Sequence, residues 1–126
     1  MTPPIIIALL TVLWHGVGME NELLKDLQAR NAKTLAWVAE SPETRWACTL
    51  VEDPAHWAGY GVRTPAELEH HLLVSEAFEV DREAHGFKPS WSGLMAMDNE
   101  ALRLHIERCS EAMEEARANE MEFFSE

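Results

Sequence analysis

The residues best suited to chemistry are six histidines, His15, His56, His70, His71, His85 and His105, in a chain rich in carboxylates. Two of them follow an acid at the same spacing, in Asp53-Pro-Ala-His56 and Glu67-Leu-Glu-His70. On a helix this spacing places both side chains on one face, and di-iron helical bundles use Glu-x-x-His twice together with two further carboxylates. Helix-start chemistry explains both acids as well: Asp53 precedes a proline, and Glu67 stands three residues after Thr64. No metal ligand or cofactor is therefore assigned, and Asp53, His56, Glu67 and His70 stand as the ligand set of an alternative reading, a small metal-dependent helical enzyme. His70 and His71 diverge by about 100° on a helix and cannot serve one site together. Neither Cys48 nor Cys109 belongs to a recognisable local cysteine–histidine signature, and there is no Gly-x-Ser-x-Gly elbow. Trp57-Ala-Gly-Tyr-Gly lacks the Lys-Ser or Lys-Thr of a phosphate loop. No catalytic residue is assigned. The five tryptophans, Trp14, Trp37, Trp46, Trp57 and Trp91, suit a packed core better than a ligand cage.

The elements that would hold these groups form one domain spanning residues 1–126, which is long enough to bury a core without disulfides. A net charge of −12 and a pI of about 4.8 disfavour direct nucleic-acid binding and suit a basic partner surface. Two cysteines do not make a disulfide framework, and a reducing cytoplasm fits them; Cys109 lies in an apolar stripe and reads as a small buried hydrophobe. The apolar run Ile5–Trp14 is too short to span a bilayer, so no membrane association is expected, and no basic flank precedes it as in a signal peptide. Residues 1–18 read as a helix opened by Thr2 and Pro3, as a buried strand, or as an extension upstream of Met19.

Met19–Glu40 reads as an amphipathic helix with Leu24, Leu27, Leu35 and Val38 on one face, interrupted by Asn31. Ser41-Pro42 predicts a short helix carrying Trp46, Leu50 and Val51, and Asp53-Pro54 predicts a second brief one ending at Gly59 or Gly61. Thr64 and Glu67 form a capping box, in which the Glu67 carboxylate reaches back to the Thr64 amide. The helix it opens runs to Ala84 or His85, where Gly86 supplies a left-handed stop. Its apolar face comprises Leu73, Val74, Ala77, Val80 and Ala84, with Leu68 and Phe78 pointing the opposite way. Phe87 and Trp91 are expected to bury against the first and last helices, with Lys88 paired to Asp81 or Glu83. Asp98-Asn99-Glu100 opens the last helix, whose inward seam is Leu102, Ile106, Cys109, Met113 and Ala116. The fold class is all-α: a single small domain of about five helices joined by short, proline-initiated turns.

From about Trp46 to Glu115 the chain resembles small uncharacterised acidic proteins of tailed bacteriophages. The resemblance is carried by Glu52-Asp-Pro-Ala-His-Trp-Ala-Gly-Tyr-Gly-Val62 leading into Thr64-Pro65, by the acidic and aromatic helix that follows, and by Gly86-Phe-Lys-Pro-Ser-Trp91 ahead of the helix from Asp98. It covers over half the chain. It implies a phage or prophage origin and cytoplasmic action in an infected bacterial host, and it carries over no catalytic residue. By analogy of size, charge and origin, the expected function is non-enzymatic: an acidic inhibitor of the anti-CRISPR or anti-restriction type, mimicking nucleic acid at a basic surface of a host protein or protein–nucleic-acid complex. Its expected partner-binding residues are Glu107, Glu111, Glu114 and Glu115 on the last helix, with Lys88 and Trp91 in the preceding turn. A homo-oligomer or structural accessory built on the C-terminal seam is a further alternative.

Overall fold

The computed structural model describes the backbone of residues 4–125 and the side chains of residues 20–124. It contains five helices: α1 (Pro4–Ala39), α2 (Pro54–Ala58), α3 (Pro65–His85), α4 (Trp91–Met95) and α5 (Asn99–Ser125). There is no strand among the described residues. Ile5–Trp14 is thus helical and continuous with the Met19–Glu40 helix; the Thr2 cap and Pro3 lie outside the described residues. No described helix is long and apolar enough to cross a membrane. The chain divides into two compact units, residues 1–68 and 69–126, with α3 beginning in the first and continuing through the second.

In the first unit the buried line of α1 runs through Leu23, Leu27 and Asn31, spaced by four. The face differs from the expected one: Leu24 is only partly buried and Leu35 is exposed. Asn31, which looked like an interruption, is the reason. Its Nδ2 donates to the Leu50 carbonyl at 2.7 Å, its Oδ1 accepts from the Leu50 amide at 2.7 Å, and Nδ2 also reaches Glu52 Oε2 at 2.9 Å. A side-chain amide thereby satisfies both backbone groups of a residue 19 positions away.

This contact overturns the helix expected to carry Trp46, Leu50 and Val51. After Ser41-Pro42 the chain makes a single turn, with the Thr44 and Arg45 amides both donating to the Ser41 carbonyl, and then runs non-helically from Arg45 to Asp53. Leu50 cannot join a helical ladder while Asn31 holds both its amide and its carbonyl, and Trp57 Nε1 fixes the Val51 carbonyl at 2.7 Å. Trp46 is left exposed. Arg45 compensates for the lack of a basic residue in the last turn of α1: it donates to the Trp37 carbonyl, pairs with Glu40 and lies 4.7 Å over the Trp37 ring. Asp53 caps α2 by accepting from the Ala55 amide, and α2 closes through Gly61 at φ +76°.

The start of α3 follows the capping-box expectation with one change. The Thr64 hydroxyl accepts from the Glu67 amide, whereas the Glu67 carboxylate reaches the Arg63 amide, one residue earlier than expected. Gly86, at φ +78°, ends α3 after His85 by donating to the Arg82 carbonyl.

In the second unit Leu73, Val74 and Ala77 of α3, Leu94 of α4 and Leu102 of α5 form one core, with Phe78, Met97 and Ile106 packed on it. The turn that joins α3 to α5 contains α4, which the sequence reading missed. Ser90 opens it by accepting from the Gly93 amide. Phe87 and Trp91 are exposed, contrary to the burial expected; Trp91 touches Phe78 and His71 of α3 edge-on, with ring centroids 5.6 and 6.1 Å apart. Asp98 caps α5 through the Ala101 amide. The seam of α5 is buried at Leu102 and Cys109 and partly at Ile106 and Met113, but it ends there: Ala116, like every residue from Glu114 to Phe124, is exposed.

Candidate metal centre

Two pairs of side chains converge in the second unit. Asp81 and His85 stand four residues apart near the end of α3, and His105 and Cys109 stand four apart in the first half of α5. That spacing puts both members of each pair on one face of their helix. The Asp81 carboxylate is buried and uses both oxygens: Oδ1 lies 3.1 Å from His85 Nδ1 and Oδ2 lies 2.6 Å from His105 Nε2. The Cys109 thiol is buried, with Sγ 3.7 Å from His105 Nε2. One donor atom from each of Asp81, His85 and Cys109 lies within 4.8 Å of the others.

The Cys109 thiol is harder to ionise than an ordinary one. Burial pushes the Cys109 thiol above its ordinary range, and the charge of Asp81 pushes it further in the same direction. A bound dication would reverse both effects, since it stabilises a thiolate and a buried carboxylate together. The donors are imidazole nitrogen, thiolate sulfur and carboxylate oxygen, the set that zinc and similar borderline ions accept. In tetrahedral sites of this kind neighbouring donors stand about 3–4 Å apart; here Asp81 Oδ1 and His85 Nδ1 are 3.1 Å apart, and the three donors lie within 4.8 Å of one another. His85 keeps nearly half of its side chain exposed, so the cluster reaches the surface on that side.

The ligand set considered from sequence has other work. Asp53 caps α2, His56 packs edge-on against Trp57 and Tyr60, and Glu67 closes the α3 capping box. His70 engages Asn99 Oδ1 at 2.9 Å and the Met95 carbonyl at 3.0 Å, tying α3 to the α4–α5 turn. Of the two partners expected for Lys88, Asp81 or Glu83, Asp81 is taken by the two histidines. Glu107, Glu111, Glu114 and Glu115 are exposed along α5, Lys88 is exposed in the turn, and Trp91 is exposed while leaning on α3.

Sequence reasoning passed over Asp81, His85, His105 and Cys109 as a group. The signal was present as two acid-or-histidine pairs at helical spacing, Asp-x-x-x-His and His-x-x-x-Cys. What the sequence lacked was the pairing of two helices that brings residues 24 apart into contact. No protein-family model matches the chain, and no significantly similar curated protein or solved structure was found.

Proposed function

We propose that this is a metal-binding helical protein whose centre takes a borderline transition cation of the zinc type through Asp81, His85 and Cys109. The observation that carries this reading is the convergence of a buried carboxylate, an imidazole and a buried thiol from two helices within 4.8 Å. A cluster that served only to pin α3 to α5 would gain little from a thiol, which is a weak hydrogen-bonding group. The hard cations calcium and magnesium are disfavoured because they take oxygen donors. The test is equilibrium dialysis of untagged protein against Zn²⁺. One ion per chain is expected, and Asp81→Asn and Cys109→Ser should each weaken binding at least about tenfold, a loss seen when even outer partners of a metal centre are removed. Absence of stoichiometric binding by the unaltered protein would reject the reading.

The exposed glutamates of α5 favour a second reading, an acidic phage-encoded inhibitor that occupies a basic surface of a host defence complex. Like charges at neighbouring turns repel by a few tenths of a kcal/mol per pair, a cost that solubility alone does not require. Replacing Glu107, Glu111, Glu114 and Glu115 together by Gln should leave the unfolding midpoint nearly unchanged and abolish salt-sensitive capture of a host partner. Capture that survives the four changes would place the contact elsewhere, with Lys88 and Trp91 the next residues to test.

A further inference from the structure

We infer that His105 is the fourth ligand, so that the centre is a closed Asp-His-His-Cys clamp between α3 and α5 rather than an open hydrolytic site. This rests on the metal-centre reading and adds a coordination number to it. His105 Nε2 reaches two of the three other ligands, lying 2.6 Å from Asp81 Oδ2 and 3.7 Å from Cys109 Sγ. One nitrogen thus stands within contact distance of both the carboxylate and the thiol, beside the group formed by Asp81, His85 and Cys109. The helical register agrees, because His105 and Cys109 share a face of α5 as Asp81 and His85 share a face of α3. His85 is the more exposed of the two histidines, with a donor nitrogen already within 4.8 Å of those of Asp81 and Cys109.

Coordination in this arrangement releases the Cys109 proton to solvent and leaves His105 protonated on Nδ1 alone, with Nε2 as ligand. Four protein donors fill a tetrahedral zinc-type ion and leave no place for an activated water, as in structural rather than catalytic zinc centres. The chemical role assigned to the ion is thus to lock two helices together. A catalytic metal centre would instead need one of the four positions open.

Cobalt(II) titration of the untagged full chain, followed by visible absorption, tests this directly. The unaltered protein should give intense d–d bands of tetrahedral cobalt and a thiolate-to-metal charge-transfer band. His105→Ala should bind at least about tenfold more weakly and lose d–d intensity as water enters the coordination shell. His105→Gln is the decisive variant. Its amide nitrogen reaches the position of Nε2 and can keep a hydrogen bond to Asp81 but is a poor ligand to this class of ion, so it should behave like the alanine variant. A glutamine variant with the affinity and spectrum of the unaltered protein would make His105 a positioning residue and overturn the closed-clamp assignment. If the unaltered protein takes up no cobalt, the metal centre itself is wrong, a result separate from failure of the fourth ligand. Circular dichroism of both variants guards against loss of fold being mistaken for loss of a ligand.

Discussion

Among the described residues two polar side chains are buried, Asn31 in the first unit and Asp81 in the second. Both sit on long helices and both reach a distant part of the chain, yet their partners differ in kind. Asn31 is neutral and spends its hydrogen bonds mainly on the backbone of Leu50, which needs both partners once it is withheld from a helix. Asp81 is an acid whose partners are side chains that can gain, lose or share protons. A neutral amide bonded to backbone fixes a fold. A buried carboxylate facing two imidazoles and a thiol sits among groups that can pair with it as cations or join it in holding one, and either offsets the cost of burying its charge. The first unit therefore shows what a purely structural polar centre looks like, and the second departs from it.

The sharpest way to break the comparison is at Asn31. Asn31→Ala strips the Leu50 amide and carbonyl of their partners, and should cost about 2–4 kcal/mol in urea denaturation. Asp81→Asn, measured without added metal, should cost less than that, because an amide of the same shape can still meet His85 and His105. If the aspartate change proves the more damaging in metal-free protein, Asp81 is as structural as Asn31 and the distinction collapses. The smallest effect is expected at His71. Its proton affinity is lowered by burial and, less so, by neighbouring His70. A histidine whose folded value lies below its unfolded value of about 6.5 binds protons more readily when unfolded. Its contribution to stability is thus present above that value and declines as the pH falls through it. The melting temperature of the unaltered protein should drop slightly more between pH 7.5 and 5.5 than that of His71→Gln; equal drops would show that this histidine is not responsible.

The parts of the fold legible in the sequence are those set by local chemistry. Asp53-Pro54, Thr64 with Glu67, and Asp98 opened helices as expected, and Gly86 closed one. The number of helices agreed, but their membership did not. The helix expected after Ser41-Pro42 is absent because Asn31 holds Leu50 from 19 residues away, and a window of local propensity contains no such term. Helix α4 escaped notice because its Ser90 cap stands inside Gly-Phe-Lys-Pro-Ser-Trp, which read as a turn. The candidate centre was half legible: each of its pairs has helical spacing, but Cys109 was absorbed into the apolar seam, which is also where the structure puts its side chain. Buried thiols serve both purposes, and only the approach of His105 and Asp81 separates them.

The run of exposed residues at the end of α5 means that one helix keeps two times. From Glu114 to Phe124 the backbone relies on its own hydrogen bonds, over a stretch shorter than the roughly 12–15 residues at which an isolated helix becomes even marginal in water. Its last turn carries no basic residue, while Glu120 and Glu122 place negative charge at the negative end of the helix dipole. These turns are expected to open at a lower free-energy cost than the packed part of the helix. The turns from Leu102 to Cys109, held by the core and by Asp81, open only with a much larger part of the unit. Cys109 stands little more than one turn before the boundary. A cation gripping it would mark the point on α5 past which fraying from the C-terminal end does not spread.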